Sequence, residues 1–408
     1  MFFRIFITLV LLFQTISYGR EYILFISLDG FRYDYANKVE TPNLDYIESI
    51  GVKASSLIPV FPSLTFPNHF SMATGCYPDK HGIIGNTFFS KRIDKLYKIS
   101  DRSSVENKKF YLSEPIWNTI QRNGKKSATF FWVGSEAPIG DTYPNYYKKY
   151  DKSVSYQSRI DTMEYWFNLP EDKRPDLVML YFDEPDHTGH LYGANGKNID
   201  KSISKIDSTL GDILDRIKGL SIYDSLNIII ASDHGMANVT KERVIIIDDY
   251  IDITDNFDIV SEGPYMQINF IDNSNIDKVK IHKQLGSVPN IIYYFRDDIP
   301  RNLNILNSDT PDLIIIPDIG WIVSSNKENL YERFIDEMRR GATKGMHGYT
   351  TDNIEMHGIF YAAGPAFSHG KISSLENIDI YPALCKILDI PIIHEIDGDI
   401  SKLTEVLK

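Results

Sequence analysis

The feature that most limits what this chain can fold into is where its acidic residues and histidines fall. Asp29 closes the apolar run Y-I-L-F-I-S-L-D-G. Asp186 and His190 follow D-L-V-M-L-Y-F, within D-E-P-D-H-T-G-H. Asp233 and His234 close L-N-I-I-I-A-S-D-H-G. His347 stands in the glycine-flanked K-G-M-H-G-Y. In an open α/β sheet, ligands bind beyond the carboxyl ends of the strands. Strands that each deliver an aspartate to that edge converge on one place. Carboxylate oxygens and imidazole nitrogens together suit zinc or a similar divalent ion. Taken singly, each aspartate reads as an ordinary cap or turn residue, and Asp186 with His190 as a plain helix face. Taken together, they read as the metal site of a hydrolase.

The rest of the pattern agrees with that sheet. Strand-like runs recur at 22–28, 127–133, 177–182, 227–231 and 358–363, with helical patterns between several of them. The clearest helix covers 199–217, where Ile199, Ile203, Ile206, Leu210, Ile213, Leu214 and Ile217 keep a 3.6-residue period. Such alternation predicts an α/β fold with a mostly parallel central sheet and helices on both faces. From about 255 to 342 the texture changes. Short apolar runs at 266–271, 291–295, 313–316 and 321–323 surround one amphipathic stretch at 327–340. This region reads as a small α+β insertion before the core resumes near His347. No repeat or low-complexity linker interrupts the chain.

Residues 1–19 differ from the remainder. Arg4 precedes the apolar Ile5–Phe13, and Ser17-Tyr18-Gly19 supplies small residues at the −3 and −1 positions of a cleavage site. They read as a signal peptide, with an uncleaved anchor as the alternative, and residues 20–408 as the catalytic domain. The apolar core is short for a membrane span, and no second run of spanning length follows. A secreted or secretory-lumen enzyme, with no stable membrane span after cleavage, is expected. The net charge of −12 argues against long nucleic acids as ligands. It leaves room for a small phosphate ester, because bound metals reverse the local sign. The two cysteines, Cys76 and Cys385, make no disulfide framework, and whether they pair is open. Asn238-Val239-Thr240 is a glycosylation sequon, so a glycoprotein is expected.

A hydrolase of this kind needs a nucleophile. In P-S-L-T-F-P-N-H-F, Thr65 lies between Pro62 and Pro67, which stiffen the backbone. Asn68 reads as the N-cap of the helix that follows, which would set Thr65 near a helix N-terminus and its partial positive charge. The competing reading of Thr65 is an ordinary capping threonine.

Six segments now carry a resemblance: L-D-G-F-R, T-F-P-N-H-F, T-G-C-Y-P-D-K-H-G-I-I-G-N, E-P-D-H-T-G-H, S-D-H-G-M and M-H-G-Y. In this order they resemble the ectonucleotide pyrophosphatase/phosphodiesterase family of the alkaline phosphatase superfamily, over about 22–390. The resemblance implies two zinc ions. Asp186, His190 and His347 match the ligands of one. Asp29, Asp233 and His234 match those of the other, which Thr65 also contacts. It implies that Thr65 attacks phosphorus and forms a threonyl-phosphate ester that water then hydrolyses, and that Asn86 donates to a non-bridging phosphate oxygen. Phe66, Tyr150 and Tyr181 match positions that hold a nucleobase; their competing reading is core packing. The implied substrate is a small nucleotide phosphodiester or pyrophosphate, cleaved to a nucleoside 5′-monophosphate, with a choline or lipid-headgroup diester as the alternative. The chain resembles the short, single-domain branch. It departs from several relatives in carrying Leu64 where they have a basic or polar residue. His69, His81, His187 and His357 match no ligand and are expected to support the site or the fold.

Overall fold

The computed structural model describes residues 19–272, 274, 276–326 and 343–408. The expected leader therefore lies outside the described residues except for Gly19, and so does the amphipathic stretch at 327–340. Five parallel strands form the heart of one eight-stranded sheet: Tyr22–Leu28 at the centre, flanked by Leu226–Ala231 on one side and by Leu177–Phe182, Ser127–Phe130 and Tyr146–Lys148 in turn on the other. Beyond Leu226–Ala231 the antiparallel Phe360–Ala363 joins, followed by Val52–Ala54 and Gly370–Ile372. The central strand is buried along its whole length because both faces of the sheet are covered. Ile23 and Phe25 enter a core shared with the helices Thr65–Thr74, Ile116–Arg122 and Ile380–Ile387. Tyr22, Leu24, Ile26 and Leu28 enter the opposite core, against Lys197–Lys218. That helix buries Ile199, Ile203, Ile206, Leu210, Ile213, Leu214 and Ile217, as its period requires. Each such side chain contributes roughly 1.5–3 kcal/mol.

One strand ends early. The apolar run 127–133 is a strand only to Phe130, because Phe131 takes a left-handed φ of 69°. The turn there sends Phe131, Trp132 and Val133 into the wall of a cavity instead.

After Leu226–Ala231 the chain makes a long excursion. It departs along Ala237–Val239 and returns along Lys344–Met346, and these two segments pair antiparallel. Between them lies a separate four-stranded antiparallel sheet in the order Phe257–Ser261, Met266–Phe270, Leu313–Pro317, Ile291–Phe295. Its core comes from Ile259, Met266, Ile268, Leu313 and Ile315, with Leu285 from the helix Lys278–Leu285. Ile322–Ser324 pairs not with this sheet but with Val244–Ile246. Both cysteines are free and buried. No helix among the described residues is long and apolar enough to cross a membrane.

Candidate functional site

The carboxyl edge of the central strands gathers the aspartates. Asp29 follows Tyr22–Leu28, Asp233 follows Leu226–Ala231, and Asp186 opens the helix Asp186–Tyr192 beyond Leu177–Phe182. A backbone bond from Asp186 N–H to the Asp29 carbonyl, 3.0 Å, ties two of the segments together. Gly30 makes that approach possible: its φ is +65°, and a Cβ there would stand 2.8 Å from the Asp186 Cβ. Asp186 and His190 share a helix face, with His190 Nε2 3.5 Å from Asp186 Oδ1. Gly345 allows the returning strand to press on this helix, since a Cβ would meet the Gly189 carbonyl oxygen at 2.5 Å. That strand delivers His347, whose Nε2 lies 3.4 Å from Asp186 Oδ1.

Backbone carbonyls set the histidine tautomers. His190 Nδ1 donates to the Gly345 carbonyl, His347 Nδ1 to the Ser63 carbonyl and His234 Nδ1 to the Gly235 carbonyl, each at 2.9 Å. A carbonyl only accepts, so each Nδ1 holds a proton and each Nε2 faces the cluster, where it offers a lone pair whenever the ring is neutral. The Nε2 atoms of His190 and His347 then face each other at 3.1 Å. His234 stacks on His347 with ring centroids 3.5 Å apart, and its Nε2 lies 3.3 Å from Asp29 Oδ1 and 3.1 Å from Asp233 Oδ2. Asp29 Oδ1, Asp186 Oδ1 and Asp233 Oδ2 are buried without a hydrogen-bond partner. Lone pairs and carboxylate oxygens at these separations repel unless cations lie among them, which is the donor chemistry that zinc takes. Among the described residues, two groups of donor atoms are compact enough to hold an ion: Asp186, His190 and His347, and Asp29, Asp186 and His234. Asp186 thus stands between the two, while Asp233 sits against His234 and, at 3.3 Å, the His69 Nδ1.

The electrostatics of the cluster follow from burial and like charge. Burial first, then Asp233 and Asp186, raise the Asp29 carboxyl well above the ordinary range, against a lowering by Tyr181. Burial likewise raises Asp186, although His190 and His234 oppose it. For Asp233 burial is the largest influence and raises it, but His234 and His69 together outweigh it and leave it lowered. Burial, then His234 and His190, lower His347 well below its ordinary value. A neutral imidazole with its Nε2 lone pair exposed to the cluster is the form a metal requires.

Thr65 is the first residue of the helix Thr65–Thr74, with Leu64 as its N-cap. Its Oγ1 lies 3.3 Å from His234 Nε2, which places the hydroxyl at both the helix N-terminus and the acidic cluster. Asn68 is not the cap that its sequence position suggested. It lies inside the helix, where its Oδ1 accepts Val60 N–H at 2.7 Å and its Nδ2 donates to the carbonyls of Pro62 and Leu64 at 3.1 and 2.8 Å. The asparagine serves the buried loop before the helix, adding a second donor to carbonyls that already accept Leu64 N–H and Asn68 N–H. Leu64 is buried beside Phe61 and Tyr265 and offers no polar group to the site.

A cavity of about 280 Å³ joins the cluster to an aromatic slot. Asp29, Thr65, Asp186, His190 and His347 line it, and so do Asn86, Phe66, Tyr150 and Tyr181. Asn86 Oδ1 accepts Phe66 N–H at 2.9 Å. That contact identifies the oxygen of the amide, so the Nδ2 is on the other side. Tyr150 is 45% exposed and meets Phe131 edge to face at 5.1 Å. Tyr181 does more than line the slot: its hydroxyl donates to Asp29 Oδ2 at 2.6 Å. Sequence reasoning missed Ile99, Val105, Phe131, Trp132 and Val133 in this wall, and also Arg102 and Glu136, which form an ion pair there. It expected of His69 only support for the site or the fold; His69 Nδ1 donates to the Thr65 carbonyl at 2.9 Å and Ser27 Oγ bonds its Nε2 at 2.8 Å. A larger hollow of about 510 Å³ near Gln121 holds none of the acidic cluster.

Comparison with known proteins places the chain in a known group. The model of the "Type I phosphodiesterase / nucleotide pyrophosphatase" family matches residues 23–350. The chain is 32% identical over 400 residues to the venom phosphodiesterase CdcPDE of Crotalus durissus collilineatus, covering 95% of this chain and 46% of that protein. It therefore spans about half the length of the venom relatives it matches. It is 33% identical over 376 residues to the bis(5'-adenosyl)-triphosphatase ENPP4 of Homo sapiens, covering 90% of this chain and 78% of that protein. Murine ectonucleotide pyrophosphatase/phosphodiesterase 5 has a similar structure, with a TM-score of 0.86 at 31% identity over 95% of this chain and 100% of that one. An inactive threonine-to-alanine form of that murine protein in complex with AMP matches equally well.

Proposed function

The chain belongs to the type I phosphodiesterase / nucleotide pyrophosphatase family, a family of hydrolases, and from that premise we propose that it cleaves nucleotide phosphodiester or pyrophosphate bonds to release a nucleoside 5′-monophosphate. The observation that supports this most is the shared cavity, in which the Thr65 hydroxyl and the Asn86 amide stand between the acidic cluster and the aromatic slot. At about 280 Å³ the cavity lies near the small end of ligand sites, ~300–1,000 Å³, which suits one nucleoside moiety rather than a polymer.

Asp186, His190 and His347 would hold one zinc ion, and Asp29, Asp233 and His234 the other, with Asp186 near both. Bound zinc would supply Lewis-acid polarisation of the phosphate and a more acidic Thr65 hydroxyl. Thr65 Oγ1 gives up its proton, which passes to the departing oxygen or to solvent, and forms a bond to phosphorus as the bond to that oxygen breaks. Water then attacks the ester, the bond to Thr65 breaks with a water proton restoring its hydroxyl, and the 5′-monophosphate departs. The Asn86 Nδ2 donates to a phosphate oxygen as charge builds on it. The N-terminal end of Thr65–Thr74 adds favourable potential for the anion. Phe66 and Tyr150 hold the base between their rings, while Tyr181 steadies Asp29.

An exported location fits the leader and the relatives, which are named as venom enzymes and as an ectonucleotide enzyme. The glycan acceptor would be Asn238 Nδ2; its Oδ1 already accepts Ala194 N–H at 2.7 Å. The test of the whole reading is Thr65→Ala in the zinc-loaded protein, assayed on diadenosine polyphosphates, nucleoside triphosphates and glycerophosphocholine. Turnover of the nucleotides should vanish while zinc content and melting temperature stay at wild-type values. Residual turnover above about a tenth of wild type would show that Thr65 is not the attacking group. Preferential turnover of glycerophosphocholine by the wild type would transfer the assignment to the choline-diester alternative.

A further inference from the structure

We propose that the inserted four-stranded sheet positions Asn86 through Glu262 and Gln267, a role that rests on the donor function given to Asn86 above. Glu262 begins the turn between Phe257–Ser261 and Met266–Phe270, where its N–H bonds the Tyr265 carbonyl at 2.9 Å. Gln267 is the second residue of the strand that follows. Both side chains leave their own sheet and close on the segment that carries Asn86. Glu262 Oε1 accepts Thr87 N–H at 2.9 Å, and Gln267 Nε2 donates to the Thr87 carbonyl at 2.8 Å. The Thr87 N–H belongs to the peptide unit joined to the Asn86 Cα, so Glu262 grips the backbone at the residue whose side chain matters.

The same two groups also close on the other neighbour. A Cβ on Gly85 would stand 3.1 Å from Glu262 Oε2 and 3.2 Å from Gln267 Nε2. Glycine there lets the insertion reach the chain on both sides of Asn86. Glu262 is 6% exposed and Gln267 1%, so water does not compete for these contacts. Hydrogen bonds to a buried carboxylate are among the stronger ones. The Asn86 carbonyl accepts Ile99 N–H at 3.1 Å and its Oδ1 accepts Phe66 N–H at 2.9 Å. With the main chain held from the insertion and the amide oxygen held from the Thr65 helix, the Nδ2 has little freedom left. Donors aimed at developing charge depend on that preorganisation.

A purely structural role would have these side chains satisfy the backbone of Thr87–Ser90 and nothing more. Kinetics separate the two. In the full-length, zinc-loaded protein, Gln267→Met removes the donor at similar volume, and Gly85→Ala presses the clamp open from the other side. Each should lower kcat on a chromogenic nucleotide diester by about tenfold or more, because a misplacement near 1 Å costs on the order of 10²-fold. KM should move by less than about threefold. Glu262→Gln keeps an acceptor for Thr87 N–H and should retain most of kcat. In an Asn86→Ala background, where the donor is already gone, Gln267→Met and Gly85→Ala should cause no further loss. Losses of equal size with and without Asn86 would overturn the positioning role, as would wild-type kcat in both variants. If Asn86→Ala alone keeps wild-type kcat, the donor function of Asn86 is refuted and the role of the clamp falls with it. Melting temperatures of each variant distinguish a folding failure, and Gly85→Ala carries the test if Gln267→Met does not fold.

Discussion

Replacing Tyr181 with phenylalanine tests whether the slot and the metal cluster are one machine. The substitution removes only the hydroxyl, whose 2.6 Å bond to Asp29 Oδ2 is buried and charge-assisted. The ring stays, and with it the edge-to-face contact with His69, 5.2 Å between centroids. A hydrogen bond to a charged group is worth roughly 1.5–3 kcal/mol. Expressed as affinity, that matches the ~10–100-fold that loss of a group supporting a metal ligand typically costs. The direction for acid sensitivity also follows. Burial and the neighbouring Asp233 and Asp186 already raise the Asp29 carboxyl, and Tyr181 is the influence that lowers it. Without the hydroxyl, Asp29 takes a proton at a higher pH, and metal is lost earlier on acidification. The assay strips the protein with a chelator and titrates zinc back against a competing indicator. One binding step should weaken by roughly 10–100-fold, while kcat returns at saturating zinc. A zinc isotherm identical to wild type, together with a raised KM for nucleotide, would refute the reasoning and leave Tyr181 as a substrate contact alone.

Two further expectations concern the slot and the fold. Tyr150→Ala should lower kcat/KM for a nucleotide diester by roughly 5- to 150-fold, since stacking is worth about 1–3 kcal/mol per base; a small aryl phosphodiester should be much less affected, and equal losses on both would make Tyr150 a packing residue. His81 is fully buried, with Nδ1 accepting Ile83 N–H at 3.1 Å and Nε2–H donating to Ser71 Oγ, and burial lowers its pKa from 6.5 to about 3. Between those values the unfolded chain binds the proton more readily, so stability is intact above pH 6.5 and is lost as pH falls towards about 3, at up to ~1.4 kcal/mol per unit. Urea unfolding across that range should show a shallower loss in His81→Asn, which keeps an acceptor for Ile83 N–H; a slope parallel to wild type would remove His81 as the cause.

The parts of this molecule that were legible in the sequence share one property. Asp29 and Asp233 close largely apolar runs, and Asp186 comes just beyond another, after Asp183-Glu184-Pro185, so strand and site announce themselves together. The helix Lys197–Lys218 was readable because its isoleucines and leucines fall on one face. The short runs at 291–295 and 313–316 stand as strands for the same reason, while Phe257–Ser261 escaped notice because Asp258 breaks its apolar character. The run 127–133 misled at its end, since nothing in F-F-W-V signals that Phe131 adopts a left-handed backbone. Asn68 misled because a short polar side chain near a helix start usually caps it, and here a buried loop had the stronger claim on its amide.

The supports of the site were illegible for a different reason. Three histidines owe their tautomers to the carbonyls of Ser63, Gly235 and Gly345, and a main-chain carbonyl carries no residue signature. Arg102 and Glu136 meet in the slot from segments with no shared period. The excursion between Ala237–Val239 and Lys344–Met346 has the same character. Its outgoing and returning segments pair with each other, and the returning one leads into His347. Its hairpin reaches the residues on both sides of Asn86. The excursion is thus fastened to the candidate site at two places that lie far apart in the sequence. One attachment is the paired ribbon behind His347, and the other is the pair of buried side chains, Glu262 and Gln267, on Thr87. Neither attachment belongs to a motif, because each is made through main-chain groups or by side chains whose partners lie far away in the sequence.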